Sequence, residues 1–269
     1  CVSWNYPAPN VLGPILSSLF SGNAIVVKSS ELVAWSSTYF IMGIKACLLT
    51  CKLDADLVQL VTCFPEHAES LTTHPDISHI TFIGSEDVGR KVAVAATKEL
   101  TPVTLELGGK DPAIILHDAS LKYFNSTFMR SCFQAVGQNC IGIERFIVSD
   151  KIVNKLIDLI EPRVKRLKCG SFLDDTAFAR PDRPHPRASP QEKAIIHQAL
   201  EAIGGKAGTS AQVDCGAMIT DARFKKLEEL IQDAEKRGAK VLVGGKRYSH
   251  PKWPKGHYFQ PTLISDVTP

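Results

Sequence analysis

Ile80-Thr-Phe-Ile-Gly-Ser-Glu-Asp-Val-Gly89 runs from a short β-branched stretch through a glycine into an acidic segment, and Arg90–Lys98 continues it as a helix. The first four residues read as a buried strand. Gly84-x-x-x-x-Gly89 turns the chain, and Ser85 stands where a helix N-cap belongs. A strand that hands over to a helix in this way is half of a βαβ unit and needs a parallel neighbour. Pro102–Leu107 supplies one, closed by Gly108-Gly109.

The same alternation extends upstream. Gly22-Asn23 opens the strand-like run Ala24-Ile-Val-Val-Lys28, and Trp35–Thr50 is helical in pattern. Leu57–Cys63 is a further strand and Pro65–Thr73 a short helix. Downstream, Ala113–Leu116 begins a second unit. A helix over Ser120–Val136 follows, then a strand at Arg145–Val148 and a long helix over Lys151–Lys168. Asp221–Arg237 is a last helix and feeds a strand at Lys240–Val243. The fold class is α/β, with a parallel sheet covered by helices and right-handed crossovers. In such sheets ligands bind at the carboxyl ends of the strands. Lys28, Gly84 and Glu106 all fall there.

Composition narrows the function. Of the 269 residues 44% are hydrophobic and 22% charged, which is ordinary for a globular protein. A net charge of +3, with no basic run interleaved with aromatics, gives no footprint for nucleic acid. No uninterrupted apolar run reaches the roughly 18 residues of a membrane span, and no signal peptide opens the chain. The eight cysteines have neither Cys-x-x-Cys nor zinc spacing, so a reducing, intracellular (cytoplasmic) setting is expected and no metal.

Several residues could carry chemistry. In Phe133-Gln-Ala-Val-Gly-Gln-Asn-Cys-Ile-Gly142 a short turn delivers Cys140. A cysteine there can expose its sulfur beside a free backbone N–H, as a thiolate nucleophile requires, although most cysteines simply pack. Asn5, in Trp4-Asn5-Tyr6-Pro7, could donate to an oxyanion or merely satisfy a turn. Glu31, after Lys28, suits a ribose diol, or the two form a surface pair. Gly84, Ser85 and Gly89 suit a pyrophosphate at a helix N-terminus, or simply cap a helix. Glu106 ends a strand, where desolvation would raise its pKa toward that of a general base; a salt-bridged structural role is the alternative.

In order, Ser-Trp-Asn-Tyr-Pro, Gly22-Asn23 with Val-Val-Lys28-x-x-Glu31, Phe82-Ile-Gly-Ser85, Leu105-Glu-Leu-Gly-Gly-Lys110 and Gly137-Gln-Asn-Cys140 resemble the aldehyde dehydrogenase superfamily. Lys28 follows Asn5 by 23 residues (28 − 5) and Cys140 follows Glu106 by 34 (140 − 106), as in the family pattern. Cys140-Ile-Gly-Ile-Glu-Arg145 is most similar to the fungal meiotic sister-chromatid-recombination members.

The resemblance implies a Rossmann-like coenzyme domain over residues 1–108 and an α/β catalytic domain over 109–269, both incomplete. It implies oxidation of a small aldehyde to a carboxylic acid with NAD, NADP being disfavoured by Glu31. Cys140 would be the nucleophile, Asn5 an oxyanion donor and Glu106 the base for water. Lys28 and Glu31 would hold the adenosine ribose. Gly84 and Ser85 would line the coenzyme channel, with Trp4, Gly89 and Leu107 in the same cofactor site. A homo-oligomeric parent is expected, with endoplasmic-reticulum membrane association open to it.

Three departures stand out. Many members carry a lysine nine residues after the oxyanion asparagine, where this chain has Pro14. The chain looks cut at both ends, so the Glu-x-Phe-Gly-Pro segment would lie beyond Pro269. Residues 171–212, with Arg180-Pro-Asp-Arg-Pro-His-Pro-Arg-Ala-Ser-Pro190, form an atypical insertion without apolar period. The rival expectation is a catalytically inactive fragment or scaffold of the same fold.

Overall fold

A computed structural model describes residues 1–171 and 213–268, so all of the expected insertion except Ser171 lies outside the described residues. The chain forms two compact units, Cys1–Lys110 and Asp111–Pro269.

The first unit begins with α1 (Pro7–Phe20), then β1 (Ile25–Ser29), α2 (Ala34–Thr50), β2 (Val58–Thr62) and the one-turn α3 (Glu69–Thr72). β3 (Ile80–Ile83), α4 (Glu86–Ala96) and β4 (Val103–Glu106) complete it. β1 pairs parallel with β2, Ile25 facing Val58, and β3 pairs parallel with β4, Ile80 facing Val103. The first residues join these two ladders. The Val2 N–H donates to the Lys28 carbonyl at 2.9 Å, and the Ile83 N–H donates to the Cys1 carbonyl at 2.9 Å. The order across the unit is therefore β2, β1, the Cys1–Val2 segment, β3, β4. Numbered along the chain, that is 3-2-1-4-5, the Rossmann order, and its switch point lies between the Cys1–Val2 segment and β3.

Helix α1 was not anticipated by the apolar pattern. Pro7 occupies its first turn, where no N–H is needed, and Pro14 lies inside it. Val11 and Ile15, one turn apart, are fully buried against Val27, Ile41, Leu48 and Val58. A second cluster, Ile80, Phe82, Val92 and Ala96, fixes α4 on β3. α4 begins at Glu86, four residues earlier than the sequence pattern suggests.

One expectation needs amending. Glu31–Thr50 is long and apolar enough to cross a membrane by length and composition. It is interrupted by serines, threonine and Lys45, which hid it from a search for an unbroken run. Here Ser37, Ile41 and Leu48 of α2 face the core of the first unit.

In the second unit β5 (Asp111–Ile115) pairs parallel with β6 (Ile143–Val148). α5 (Leu121–Phe133) crosses between them, and α6 (Val153–Val164) follows. Ile115, Phe128, Met129, Leu156, Ile160 and Val164 make its core. α7 (Phe224–Lys236) leads to β7 (Lys240–Val243), which pairs antiparallel with β10 (Leu263–Ser265). β8 (Arg247–Tyr248) and β9 (Tyr258–Phe259) form a small hairpin.

Candidate functional site

The expected site residues divide between the units: Cys140 belongs to the second, all the others to the first.

In the first unit they gather at the strand ends around the switch point. Trp4 and Asn5 follow the segment seated between β1 and β3. Gly84 and Ser85 follow β3 directly. The Gly84 N–H donates to the Glu106 carbonyl at 3.0 Å, so the ends of β3 and β4 are held side by side. Gly84 and Gly89 are both sites of close approach. A Cβ on Gly84 would lie 2.6 Å from Phe82 Cζ, and one on Gly89 would lie 2.7 Å from Leu107 Cδ2. Leu107 thus packs on the first turns of α4.

Ser85 is the N-cap residue of α4, but its hydroxyl makes no capping hydrogen bond. Glu86 and Asp87 occupy the first turn, where they offset the positive end of the helix dipole. Arg90 answers Glu86 through an ion pair of 2.5 Å.

Lys28 Nζ lies 4.0 Å from Glu31 Oε2. The lysine stem is largely covered and the carboxylate partly so. A 3-10 turn, Glu31–Val33, begins there, with Ser30 accepting from the Leu32 N–H. This cation and acceptor at the end of β1 are the groups that a ribose bearing free hydroxyls can use.

Glu106 ends β4 as anticipated, and it is exposed in this chain, not covered as a strand end suggests. β4 pairs with β3 alone among the described strands.

The second unit presents Cys140. α5 stops at Phe133, three residues short of the pattern, and a kinked 3-10 turn follows. Ala135, Val136 and Gly137 all take positive φ, at 52°, 60° and 74°. That run of left-handed residues swings the chain into Asn139–Gly142, a turn closed by the Gly142 N–H on the Asn139 carbonyl at 3.2 Å. The Asn139 side chain accepts from the Ile141 N–H at 3.3 Å. Cys140 sits between them, half-buried. Among the described residues its own N–H carries no hydrogen bond, which leaves it available to an anion. Gln138 anchors the turn: its Nε2 donates to the Ala135 carbonyl at 3.0 Å and its Oε1 accepts from the Ile219 N–H at 3.1 Å. The second contact has no local sequence signal, since it spans 81 residues. Cys132, eight positions before Cys140, is different in kind. Burial and the nearby Glu144 push its pKa up to about 11.

The strand order and the glycine turn at its switch point define a Rossmann-like α/β protein. More particularly, the chain belongs to the aldehyde dehydrogenase family, whose profile matches residues 1–183 and 185–269. It is 48% identical over 274 residues to an aldehyde dehydrogenase-like protein of Saccharomyces cerevisiae, covering 100% of this chain and 38% of that relative. To an aldehyde dehydrogenase-like protein of Schizosaccharomyces pombe it is 43% identical over 267 residues, covering 99% of this chain and 44% of the relative. Among solved structures it matches a succinate-semialdehyde dehydrogenase from Burkholderia pseudomallei with a TM-score of 0.76 at 25% identity, over 99% of this chain and 46% of that one. The chain thus spans less than half the length of these relatives.

Proposed function

We propose that the protein carrying this chain oxidises an aldehyde to a carboxylic acid with a nicotinamide dinucleotide, through a covalent adduct on Cys140. The observation that carries this reading is the family match over nearly the whole chain, joined to Cys140 on a turn whose N–H is unengaged among the described residues. Several first-unit features fit the coenzyme. The Lys28–Glu31 pair meets ribose hydroxyls, and Gly84 and Ser85 follow β3 directly at the switch point. Glu31 favours NAD, because a 2′-phosphate would meet its carboxylate. The coenzyme supplies the hydride acceptor.

The chain's own residues do the rest. The Cys140 thiolate adds to the aldehyde carbonyl carbon, and the carbonyl electrons move onto oxygen. The Cys140 N–H and the Asn5 amide donate to that oxyanion. Loss of hydride re-forms the carbonyl as a thioester. Glu106 takes a proton from water, the hydroxide attacks the thioester, and the thiolate leaves with the free acid released. Glu106 is reachable by solvent in this chain, which suits a base that must recruit water.

In the complete protein, Cys140→Ala is expected to abolish NADH formation with aldehydes. Glu106→Gln is expected to keep the first-turnover burst of NADH while steady turnover falls by about 10²–10⁴-fold. Stopped-flow absorbance separates the two. Undiminished turnover in Cys140→Ala would sink the mechanism. A second reading, a non-catalytic member of the family, is favoured by Pro14 in the lysine position. Failure of Cys140 to take up an aldehyde-type electrophile, with or without NAD, would select it.

A further inference from the structure

The carboxamide of Asn5 has two ends, and only one is useful. Its NH₂ stabilises an oxyanion, whereas its carbonyl oxygen would repel one. The hydrogen bonds around it decide which end faces which way. Asn10, in the first turns of α1, approaches the Ser3 carbonyl at 3.4 Å and Ser3 Oγ at 2.8 Å with one side-chain atom. A backbone carbonyl only accepts, so that Asn10 atom is the nitrogen. Ser3 Oγ therefore accepts from Asn10 and has its own proton to give. It gives it to Asn5, 2.7 Å away, and the receiving atom must be Oδ1. The same Asn10 nitrogen reaches Asn5 Oδ1 at 3.3 Å. One fixed acceptor, the Ser3 carbonyl, thus propagates through two side chains to set the amide of Asn5. Asn10 is itself held by the helix, its N–H donating to the Tyr6 carbonyl at 3.0 Å.

We propose that Asn10, acting with Ser3, is a positioning residue that holds Asn5 Oδ1 on the Ser3–Asn10 side and so sets the direction of the NH₂ that the proposed reaction uses. The inference rests on the reaction proposed above. Asn10→Asp keeps the shape but has no NH₂ to give. Ser3 must then turn its proton to the carboxylate, and Asn5 loses its lock. In the complete protein this variant is expected to slow the NADH burst by about 10–100-fold, the scale of a misplaced catalytic group. Ser3→Ala should do the same, without disturbing α1. The NAD dependence of the burst should be unchanged in both. In an Asn5→Ala background, Asn10→Asp should have no further effect, because nothing remains to be oriented. An unchanged burst rate in both single variants overturns the inference while leaving the reaction intact. So does a full additional loss on top of Asn5→Ala, which would mark a general structural role. If Asn5→Ala itself is silent, the oxyanion role fails and Asn10's falls with it. Turnover surviving Cys140→Ala would instead dismiss the parent reaction.

A second, independent observation lies in the other unit. Cys169 and Cys215 face each other across a single parallel β-bridge. The Cys215 N–H donates to the Lys168 carbonyl at 3.0 Å, and the Gly170 N–H to the Cys215 carbonyl at 3.0 Å. Directly paired residues in neighbouring strands lie about 5 Å apart, within disulfide range. Cys169 Sγ lies 3.8 Å from the Phe259 carbonyl. Cys169 is half-buried and Cys215 is buried. The Cys215 thiol lowers the pKa of Cys169, while its own is raised.

The geometry points to a reversible Cys169–Cys215 disulfide. The Cys169 thiolate attacks a low-molecular-weight disulfide such as oxidised glutathione and releases one glutathione thiolate. The Cys215 thiol then loses its proton, displaces the second glutathione from Cys169 and closes the bond. Two protein thiols are oxidised and one glutathione disulfide is reduced to two thiols. Incubating the complete protein with oxidised glutathione, followed by non-reducing peptide mapping, should give a Cys169–Cys215 cross-link that dithiothreitol reverses. Cys215→Ser should trap glutathione on Cys169. Stable glutathione on wild-type Cys169 without the cross-link, or no modification of either cysteine, overturns the assignment.

Discussion

At the scale of single residues, the cysteines separate by environment rather than by sequence context. Cys132 and Cys140 lie in one short stretch. Cys132 is held as a thiol by burial and by Glu144, with its pKa near 11. Cys215 is likewise held protonated, by its contact with Cys169 and by burial. Alkylation follows thiolate population and access. Iodoacetamide near neutral pH should therefore label Cys140 well before Cys132 or Cys215, as peptide mapping over a time course can show. As pH rises toward 11, Cys132 should begin to react. Equal labelling of Cys132 and Cys140 at neutral pH would refute the contrast. The type and spacing of Asn5, Glu106 and Cys140, the residues of the proposed reaction, are legible in the sequence. Their surroundings are not. The exposure of Glu106 depends on what flanks β4, and the amide direction of Asn5 depends on Asn10, five positions on and placed by a helix. Such contacts leave no periodicity to read.

At the scale of elements, strands and their handovers were the most legible part. β1 and β3 are compact β-branched runs bounded by turn residues, and the burial of Val27, Ile80 and Phe82 keeps that pattern clean. α1 was hidden because Pro7, Pro9 and Pro14 read as breakers. A first-turn proline costs a helix nothing, and the burial of Val11 and Ile15 offsets the interior one. The end of α5 was misplaced for the opposite reason. Nothing in Gln134-Ala-Val-Gly137 announces three consecutive left-handed residues, and for a β-branched valine that conformation is strained. The strain lies just ahead of the turn that carries Cys140. Each non-glycine residue in this region costs roughly 1–2 kcal/mol. Val136→Gly should therefore leave stability unchanged or raise it by up to about 1 kcal/mol, despite the lost side chain. Gly137→Val should lower it by about 1–2 kcal/mol or more. Urea unfolding of the two variants tests the pair; a large loss for Val136→Gly would mean that its side-chain packing, not the backbone, sets the turn.

At the scale of the whole molecule, the apolar surface is the property that most needs explaining. A parallel sheet is ordinarily covered on both faces. In the β5–β6 ladder Ile114 faces Ile147 in register, and both are exposed, at 69% and 54%. On the first unit, Trp35, Tyr39, Met42 and Leu49 run down one side of α2, and all are exposed. A helix or strand face of this kind is stable in water only at the cost of its hydration, at about 25 cal/mol for each Å² left uncovered. The 269-residue chain alone should therefore self-associate, and its sedimentation coefficient should rise with concentration in velocity runs. Replacing Ile114 and Ile147 together by lysine should weaken that association without unfolding β5 and β6, because both side chains already stand in solvent. A chain that stays monomeric at all concentrations would show that these faces are tolerated in water. An association unmoved by the double substitution would assign it to the α2 stripe instead, and the same runs on Tyr39→Lys/Met42→Lys would then decide the matter.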